Sequence, residues 1–455
     1  MPMCVSLVCL RCKPLVTYLN TLSGHRGSII IPSSYDDMSQ HILDRLASRN
    51  HDEKLANNYA HDIAQWYDET IATIKPILST MSRRLYICGL PNTSSGQSIE
   101  LKAFTKFFVR KYADERGNRI QCASVTQSRE CRKGQVDEIC SISRSCGGKL
   151  NDCTPLDDLK LCESPKEPRY QYYHLSEGSV ITGNYGKCHI QGLEVDRYAT
   201  YVYRGMAAGW GYCHSCKCTC EEGEYLINIE PVYSNYIENM VVTGAKFVMR
   251  NNVLEIHVLQ AKLLPNGQIS NNHQEWLGPQ KKTLLKISWD TARKFMLSTK
   301  TLPPGYAVTG LKLSYGQANG PKNQDPYIYL QIISSIYDFK SGRLPYKKAD
   351  VVSAWTPPET ELSVADFGSP RKVKVKQDVT LKNEVWVKLT TSNGEDAGYS
   401  TIPFFDGQEV TSKRPGPLSG AGLYYKGGKD YAGFIAIELH TYDTANFIAG
   451  VPNAQ

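Results

Sequence analysis

The chain has 455 residues, 41% hydrophobic and 21% charged, enough for about two to four domains around a sizeable buried core. A net charge of +7, spread along the whole chain, is weaker than a nucleic-acid binder carries, so no nucleic-acid partner is expected. The 28 tyrosines against 11 phenylalanines favour β-structure with an exposed, contact-making face, because a Tyr ring packs while its hydroxyl stays wet.

Residues 1–35 show no coherent period and form an irregular lead-in. Met3 to Leu10 is apolar but short, and Arg11 and Lys13 interrupt it, so it does not make a secretory signal. No stretch of roughly 18 apolar residues suggests a membrane span. Residues 36–116 read as a helical segment. Leu55, Tyr59, Ile63, Trp66, Tyr67, Ile71, Ile74 and Leu78 recur at three- and four-residue steps, with Asp52, Glu53, Asp62, Asp68 and Glu69 between them. That pattern predicts an amphipathic helix ending near Pro76. Leu101, Phe104, Phe107, Phe108 and Tyr112 predict a second helical stripe. His51 and His61 sit among polar positions and read as surface residues. Asn92-Thr93-Ser94 makes Asn92 a glycosylation candidate.

Residues 117–170 combine Cys, Gly, Ser, Asp and Lys without period and read as a loop-rich, cross-linked segment. Of the 15 cysteines, Cys4, Cys9 and Cys12 lie at the start. The others are Cys88, Cys122, Cys131, Cys140, Cys146, Cys153, Cys162, Cys188, Cys213, Cys216, Cys218 and Cys220, and none follows. An even set confined to one region suggests disulfides and an oxidising compartment. The rival reading is a metal cluster at Cys213-His214-Ser215-Cys216-Lys217-Cys218-Thr219-Cys220. A structural zinc site wants a second ligand pair a dozen or more residues away. No such pair follows, so disulfides are favoured and no metal or other cofactor is expected. This compartment conflicts with the missing signal: either the protein is intracellular or the start of the chain is truncated or misassigned, and the cysteine pattern favours the second.

Residues 171–455 read as a β-region of short alternating runs between Gly, Pro and Asn turns. Val241-Val242-Thr243-Gly244-Ala245-Lys246-Phe247 is echoed by Ala307-Val308-Thr309-Gly310-Leu311-Lys312-Leu313, and each precedes an alternating strand, from Val253 and from Tyr327. A looser copy begins at Leu418-Ser419-Gly420, and a possible fourth at Val180-Ile181-Thr182-Gly183. The glycine after Thr or Ser suits a bulge or a close backbone approach. Repeated hairpins pack around a shared core, as three units of a β-prism or as a sandwich. The run Arg371-Lys372-Val373-Lys374-Val375-Lys376 reads as a lysine-protected edge strand, or less readily as a site for a sulfated glycan. The fold class expected is therefore α+β: an N-terminal helical segment, a disulfide-rich middle and a C-terminal all-β region.

Pro417-Leu418-Ser419-Gly420-Ala421-Gly422-Leu423-Tyr424-Tyr425-Lys426-Gly427 through Gly433-Phe434-Ile435-Ala436 and Thr441-Tyr442-Asp443 resembles an arthropod family. Leu264-Pro265-Asn266-Gly267, Thr401-Ile402-Pro403-Phe404-Phe405-Asp406 and the stretch Arg49 to His61 are similar to the same proteins. The family is a group of predicted secreted proteins carrying a domain of unknown function, and the resemblance covers about residues 40–445. It implies an extracellular location and an insect-like source, and brings no catalytic residue.

No nucleophile elbow, P-loop, dinucleotide-binding glycine fingerprint or zinc-protease helix is present, so no enzyme activity and no catalytic residue is expected. His257 reads as a pleat residue and Asp406 as a buried polar residue or turn former. The leading expectation is a secreted recognition protein contacting glycan, extracellular matrix or a protein partner. Tyr424, Tyr425, Lys426 and Tyr431 in the third copy, with Trp276 after the first, are the candidate contacts. The other expectation is a structural component of an arthropod secretion such as eggshell, saliva or venom, and an unfamiliar enzyme is the least favoured reading.

Overall fold

The computed structural model describes residues 53–447 apart from 93–95, 115–145, 157–158, 164–169, 176–179, 187, 189–199, 204–209, 224, 317–325, 346–349, 352–357, 373–379, 414 and 429–430. Within them the molecule is mostly β, with a single α-helix, α1 (Glu53–Thr80). The helix runs past Pro76, its expected stop. In the last turn the Ser79 and Thr80 hydroxyls donate to the Pro76 carbonyl at 2.7 and 3.2 Å.

Two short strands follow, β1 (Arg84–Leu85) and β2 (Ser98–Ile99), then β3 (Phe104–Asp114). Strands β4 (Lys149–Leu156), β5 (Leu159–Glu163), β6 (Tyr170–Leu175), β7 (Val180–Gly183), β8 (Thr200–Tyr203) and β9 (Trp210–Glu221) complete two small sheets. One is β3-β9-β4 with β8 also on β9, and the other is β5-β6-β7. The expected α+β division fails here. The stripe from Leu101 to Tyr112 is not a helix: β3 pairs with β9 from Phe104↔Glu221 to Asp114↔Gly211. Phe108 packs on one side of this sheet with Leu159, Leu161 and Tyr173, while Phe107 packs on the other with Cys216, Cys218 and Cys220. A strand covered on both faces loses its two-residue alternation, and its apolar run then mimics a helix.

The remaining chain builds three sheets on one strand plan. The first holds β10 (Leu226–Asn228), the hairpin β12 (Met240–Arg250) and β13 (Val253–Leu263), then β14 (Ile269–Leu277) and β15 (Leu284–Lys286), while β11 (Val232–Tyr233) leaves for the second sheet. The second holds β16 (Lys294–Leu297), the hairpin β18 (Tyr306–Gly316) and β19 (Tyr327–Ile336), then β20 (Asp350–Val351) and β22 (Val385–Lys388). Its neighbours β17 (Thr299–Thr301) and β21 (Thr380–Lys382) pair in the third sheet. After the small pair β23 (Thr390–Thr391) and β24 (Thr401–Ile402), the third sheet is built on β25 (Phe404–Asp406) and the hairpin β27 (Leu418–Gly427) and β28 (Phe434–Thr441). Strand β26 (Val410–Thr411) returns to pair with β12 in the first sheet. In each sheet the second hairpin strand takes one parallel neighbour, β10, β16 or β25.

The third sheet finds its last two strands at the other end of the chain. β1 pairs with β28 where β14 pairs with β13, and β2 pairs with β25 where β15 pairs with β10. Residues 100–225, including the small cystine-bearing sheets, are therefore inserted between the last strand of the third sheet and the first strand of the first. All three sheets face one apolar core. Phe405 of the third touches Phe247 of the first at 5.4 Å and Phe295 of the second at 5.2 Å, edge to face.

Each hairpin slips register at the same place: between Val242 and Gly244, Val308 and Gly310, and Leu418 and Gly420. The bulged hydroxyls of Thr243, Thr309 and Ser419 donate across to the carbonyls of Leu259, Ile333 and Thr441. The glycines admit the visiting strands. A Cβ at Gly310 would sit 2.7 Å from the Val232 carbonyl of β11, and one at Gly420 would sit 2.5 Å from the Lys300 carbonyl of β17.

Candidate functional site

The tyrosines predicted to make contacts lie inside the molecule. On β27, Leu423 and Tyr425 face the shared core, and the opposite side, with Tyr424 and Lys426, is sealed by residues 86–90. Tyr424 is 1% exposed, meets Tyr86 edge-on at 5.7 Å and donates to the Ile87 carbonyl at 3.1 Å. Lys426 is 0% exposed; its Nζ donates to the carbonyls of Ile87 (3.2 Å) and Gly89 (2.8 Å) and ion-pairs with Asp406. Burial lowers the Lys426 pKa and Asp406 opposes that shift. Gln408 closes the network, its Nε2 donating to Gly89 at 2.9 Å and to Asp406 at 3.3 Å. Tyr431 is buried against Gly368, and burial pushes its hydroxyl up to about 12. Four of the five expected contacts thus offer nothing to a ligand. The covering strip lies more than 300 residues away in sequence, beyond the reach of local alternation.

The outer face of the first sheet is a closed polar network. His257 Nε2 lies 3.2 Å from Glu255, and Asn228 donates to Glu255 at 3.4 Å. Burial lowers the His257 pKa, with Glu255 pulling the other way. Trp276, the fifth expected contact, is half-buried with Lys246 Nζ 4.1 Å above its ring, and Lys246 pairs with Glu409 at 2.8 Å.

The second sheet carries a different face. Phe295 and Leu297 point into the core, so Lys294 and Met296 point out; so do Tyr327 and Tyr329, which flank core-facing Ile328, and Trp386 and Lys388, which flank Val387. The register places Lys294 opposite Lys388 and Met296 opposite Trp386. Tyr327 and Trp386 meet edge-on at 6.1 Å. Lys294 Nζ lies 5.3 Å from the Trp386 ring and 5.9 Å from that of Tyr327, while Lys388 Nζ lies 5.8 Å from Trp386 and pairs with Glu361 at 2.8 Å. Met296 and Tyr327 are buried, Trp386, Tyr329 and Lys294 are half-buried, and Lys388 is 37% exposed at its side chain. Sequence reading passed over these six residues, although Val385-Trp386-Val387-Lys388 and Tyr327-Ile328-Tyr329-Leu330 alternate clearly enough to place them on one side.

Cys146 bonds to Cys220, Cys153 to Cys218 and Cys162 to Cys188, and Cys88 and Cys216 are also disulfide-bonded. Period two sets Cys216, Cys218 and Cys220 on one side of β9, which explains their close spacing and commits these sulfurs to bonds rather than to a metal. Cys122, Cys131, Cys140, His51 and the lysine run from Val373 lie outside the described residues, as does the side chain of Cys213. Arg371, which opens that run, lies in a short 3-10 turn and bonds to Glu100. Asn92 is exposed. No helix among the described residues is long and apolar enough to cross a membrane.

These features define a disulfide-bonded, mostly β protein. The family model for a domain of unknown function (DUF4803) matches residues 27–258, half of the chain, and the chain belongs to that family. No curated protein matches it.

Proposed function

We propose that the chain is a secreted, non-catalytic recognition protein of arthropod origin, and that its three sheets are copies of one repeated unit. The observation that carries the reading is the outer face of the second sheet, where half-buried Trp386 and Tyr329, packed on buried Met296 and Tyr327, stand beside Lys294 and Lys388. Rigid aromatic rings give contact area at low entropic cost, and glycan, matrix or protein partners all use such faces. Disulfides support an oxidising, extracellular setting, in which Asn92 is an accessible glycosylation site. The test is a binding screen of the full chain, secreted from insect cells, against insoluble chitin and a broad glycan array, alongside Trp386→Ala. Binding lost in the variant supports the reading. A folded protein that binds no glycan and runs as disulfide-linked ladders on a non-reducing gel favours a structural role in a secretion instead.

A further inference from the structure

We propose that Lys106 is a nucleophilic amine that captures a small aldehyde as a reversible imine. The site lies in the cystine-bearing insertion and is independent of the outer face of the second sheet.

The register of β3 on β9 assembles the site. Lys106 points to the same side as Phe108, away from the cystines against which Phe107 packs. Thr219 of β9 is its direct cross-strand partner, and Lys217, opposite Phe108, is the diagonal one. Diagonal neighbours on one face of a sheet stay within reach of long side chains. The loop between β23 and β24 fixes the Lys106 stem. The Lys106 N–H donates to the Gly398 carbonyl at 3.0 Å, and a Cβ at Gly398 would lie 2.4 Å from Lys106 Cγ. Both lysines are half-buried.

This position gives the Lys106 charge little support. Among the described residues no carboxylate hydrogen-bonds to its Nζ, and the hydroxyl of Thr219, buried opposite, makes no hydrogen bond. Asp152, exposed at a left-handed position (φ 49°) in the β4 bulge, favours the ammonium only through space. Burial and then Lys217 push the amine down to about 8, against Asp152. Near pH 7 roughly one such amine in ten is neutral, against roughly one in two thousand for an ordinary lysine. The neutral Nζ adds to the aldehyde carbon as the carbonyl π pair moves to oxygen. Nitrogen gives up its protons, the oxygen takes up two and leaves as water. Amine and aldehyde thus become imine and water with no oxidant or reductant. The Lys217 ammonium steadies the oxygen while it carries negative charge. A half-buried head restricts the partner to a small carbonyl compound.

Pulse labelling of the full chain with propionaldehyde and cyanoborohydride, read residue by residue by peptide mass spectrometry, tests this. The cyanoborohydride serves only to fix each imine as a stable secondary amine. At pH 7 Lys106 should label about tenfold faster than exposed Lys102, the gain in neutral amine being offset in part by weaker basicity and by cover. Its rate should reach half of its plateau near pH 8. Lys217→Gln, which removes the like charge, should slow Lys106 severalfold. Asp152→Asn, which removes the opposing charge, should speed it. Loosening of the sheet would speed labelling in both variants, so opposite signs separate electrostatics from exposure. Lys106→Arg, cationic but without a nucleophilic amine, should abolish the fast site and keep the wild-type melting curve. Lys106 labelling no faster than Lys102, or a rate that both charge changes leave alone or move in one direction, would overturn the proposal.

Discussion

Lys426 and Asp406 are costly to bury and more costly to separate. Nζ of Lys426 reaches a carboxylate and two carbonyls, and all of them lie beneath residues 86–90. Asp406→Ala leaves a buried ammonium without its counter-charge, a loss of about 3–5 kcal/mol. Lys426→Met leaves Asp406 in the same position, so it too should destabilise strongly. The pair Lys426→Met with Asp406→Leu removes both charges at similar volume and should be closer to wild type than either single change. Urea midpoints of the four proteins measure the coupling, and simple additivity would show that the two charges do not interact. His257 sets a pH response. Its pKa is lowered from the ordinary 6.5 by burial, with Arg250 and Lys246 acting in the same direction and Glu255 against it. Its contribution to stability is therefore complete above pH 6.5 and is lost as pH falls through the lower folded value. Burial pushes Glu438 up, but hydrogen bonds from His440 and Arg84 outweigh it and hold the carboxyl below its ordinary 4.5. That contribution is present above pH 4.5 and fades only in stronger acid. Melting temperature should thus begin to fall below pH 6.5, and His257→Gln should flatten the first part of the decline. An unchanged profile in the variant would place the titration elsewhere.

At the scale of elements, the sequence is most legible where one face alternates with the other. The three Thr/Ser-Gly motifs correctly mark bulged hairpins, because a residue needed for a bulge and a close strand approach is visible in a single chain. β3 is not legible, because Phe107 and Phe108 both face apolar clusters and their spacing imitates a helix. The contact tyrosines fail for a related reason: whether the second face of β27 is wet depends on a strip from residues 86–90. The cystine-bearing insertion is legible in composition but not in pairing, since Cys153–Cys218 and Cys146–Cys220 join residues 65 and 74 apart. Its apolar clusters, around Cys218 and around Phe108, are separate from and smaller than the main core. Reduction should therefore open the insertion before the three sheets. Limited proteolysis with reductant should give first cuts between residues 106 and 221, and hydrogen exchange should leave β12, β18 and β27 protected. Simultaneous loss of protection in all three hairpins would show that the cystines hold the main core itself.

At the scale of the whole molecule, the strand plan makes the N-terminal segment a structural member of the C-terminal sheets. β1 and β2 fill in the third sheet the places that β14 and β15 fill in the first, and the junction between β28 and β1 is held shut. Thr441 donates its N–H to the Arg83 carbonyl at 3.0 Å, Arg83 reaches the Tyr442 carbonyl at 3.2 Å, and Arg83 ion-pairs with Asp443. A chain that begins at Ser164 keeps every residue of the region read as repeated from the sequence, yet it loses β1, β2 and the cover over Tyr424 and Lys426. It should show no cooperative melting, because an exposed sheet edge and an uncovered buried ion pair are left together. The same geometry predicts that a break is tolerated at the equivalent junction of another sheet. Joining Asp443 through a short linker to Ser82, omitting residues 1–81 and 444–455, and reopening the chain at Asn266, in the turn between β13 and β14, keeps all strand pairs. This permutant should fold with one cooperative transition, as circular permutation within a turn commonly allows when the two positions joined are adjacent. Far-UV dichroism melts of the two proteins decide between this plan and a simple N-to-C succession of domains. A folded Ser164 fragment beside an unfolded permutant would mean that β1 and β2 decorate the third sheet without completing it.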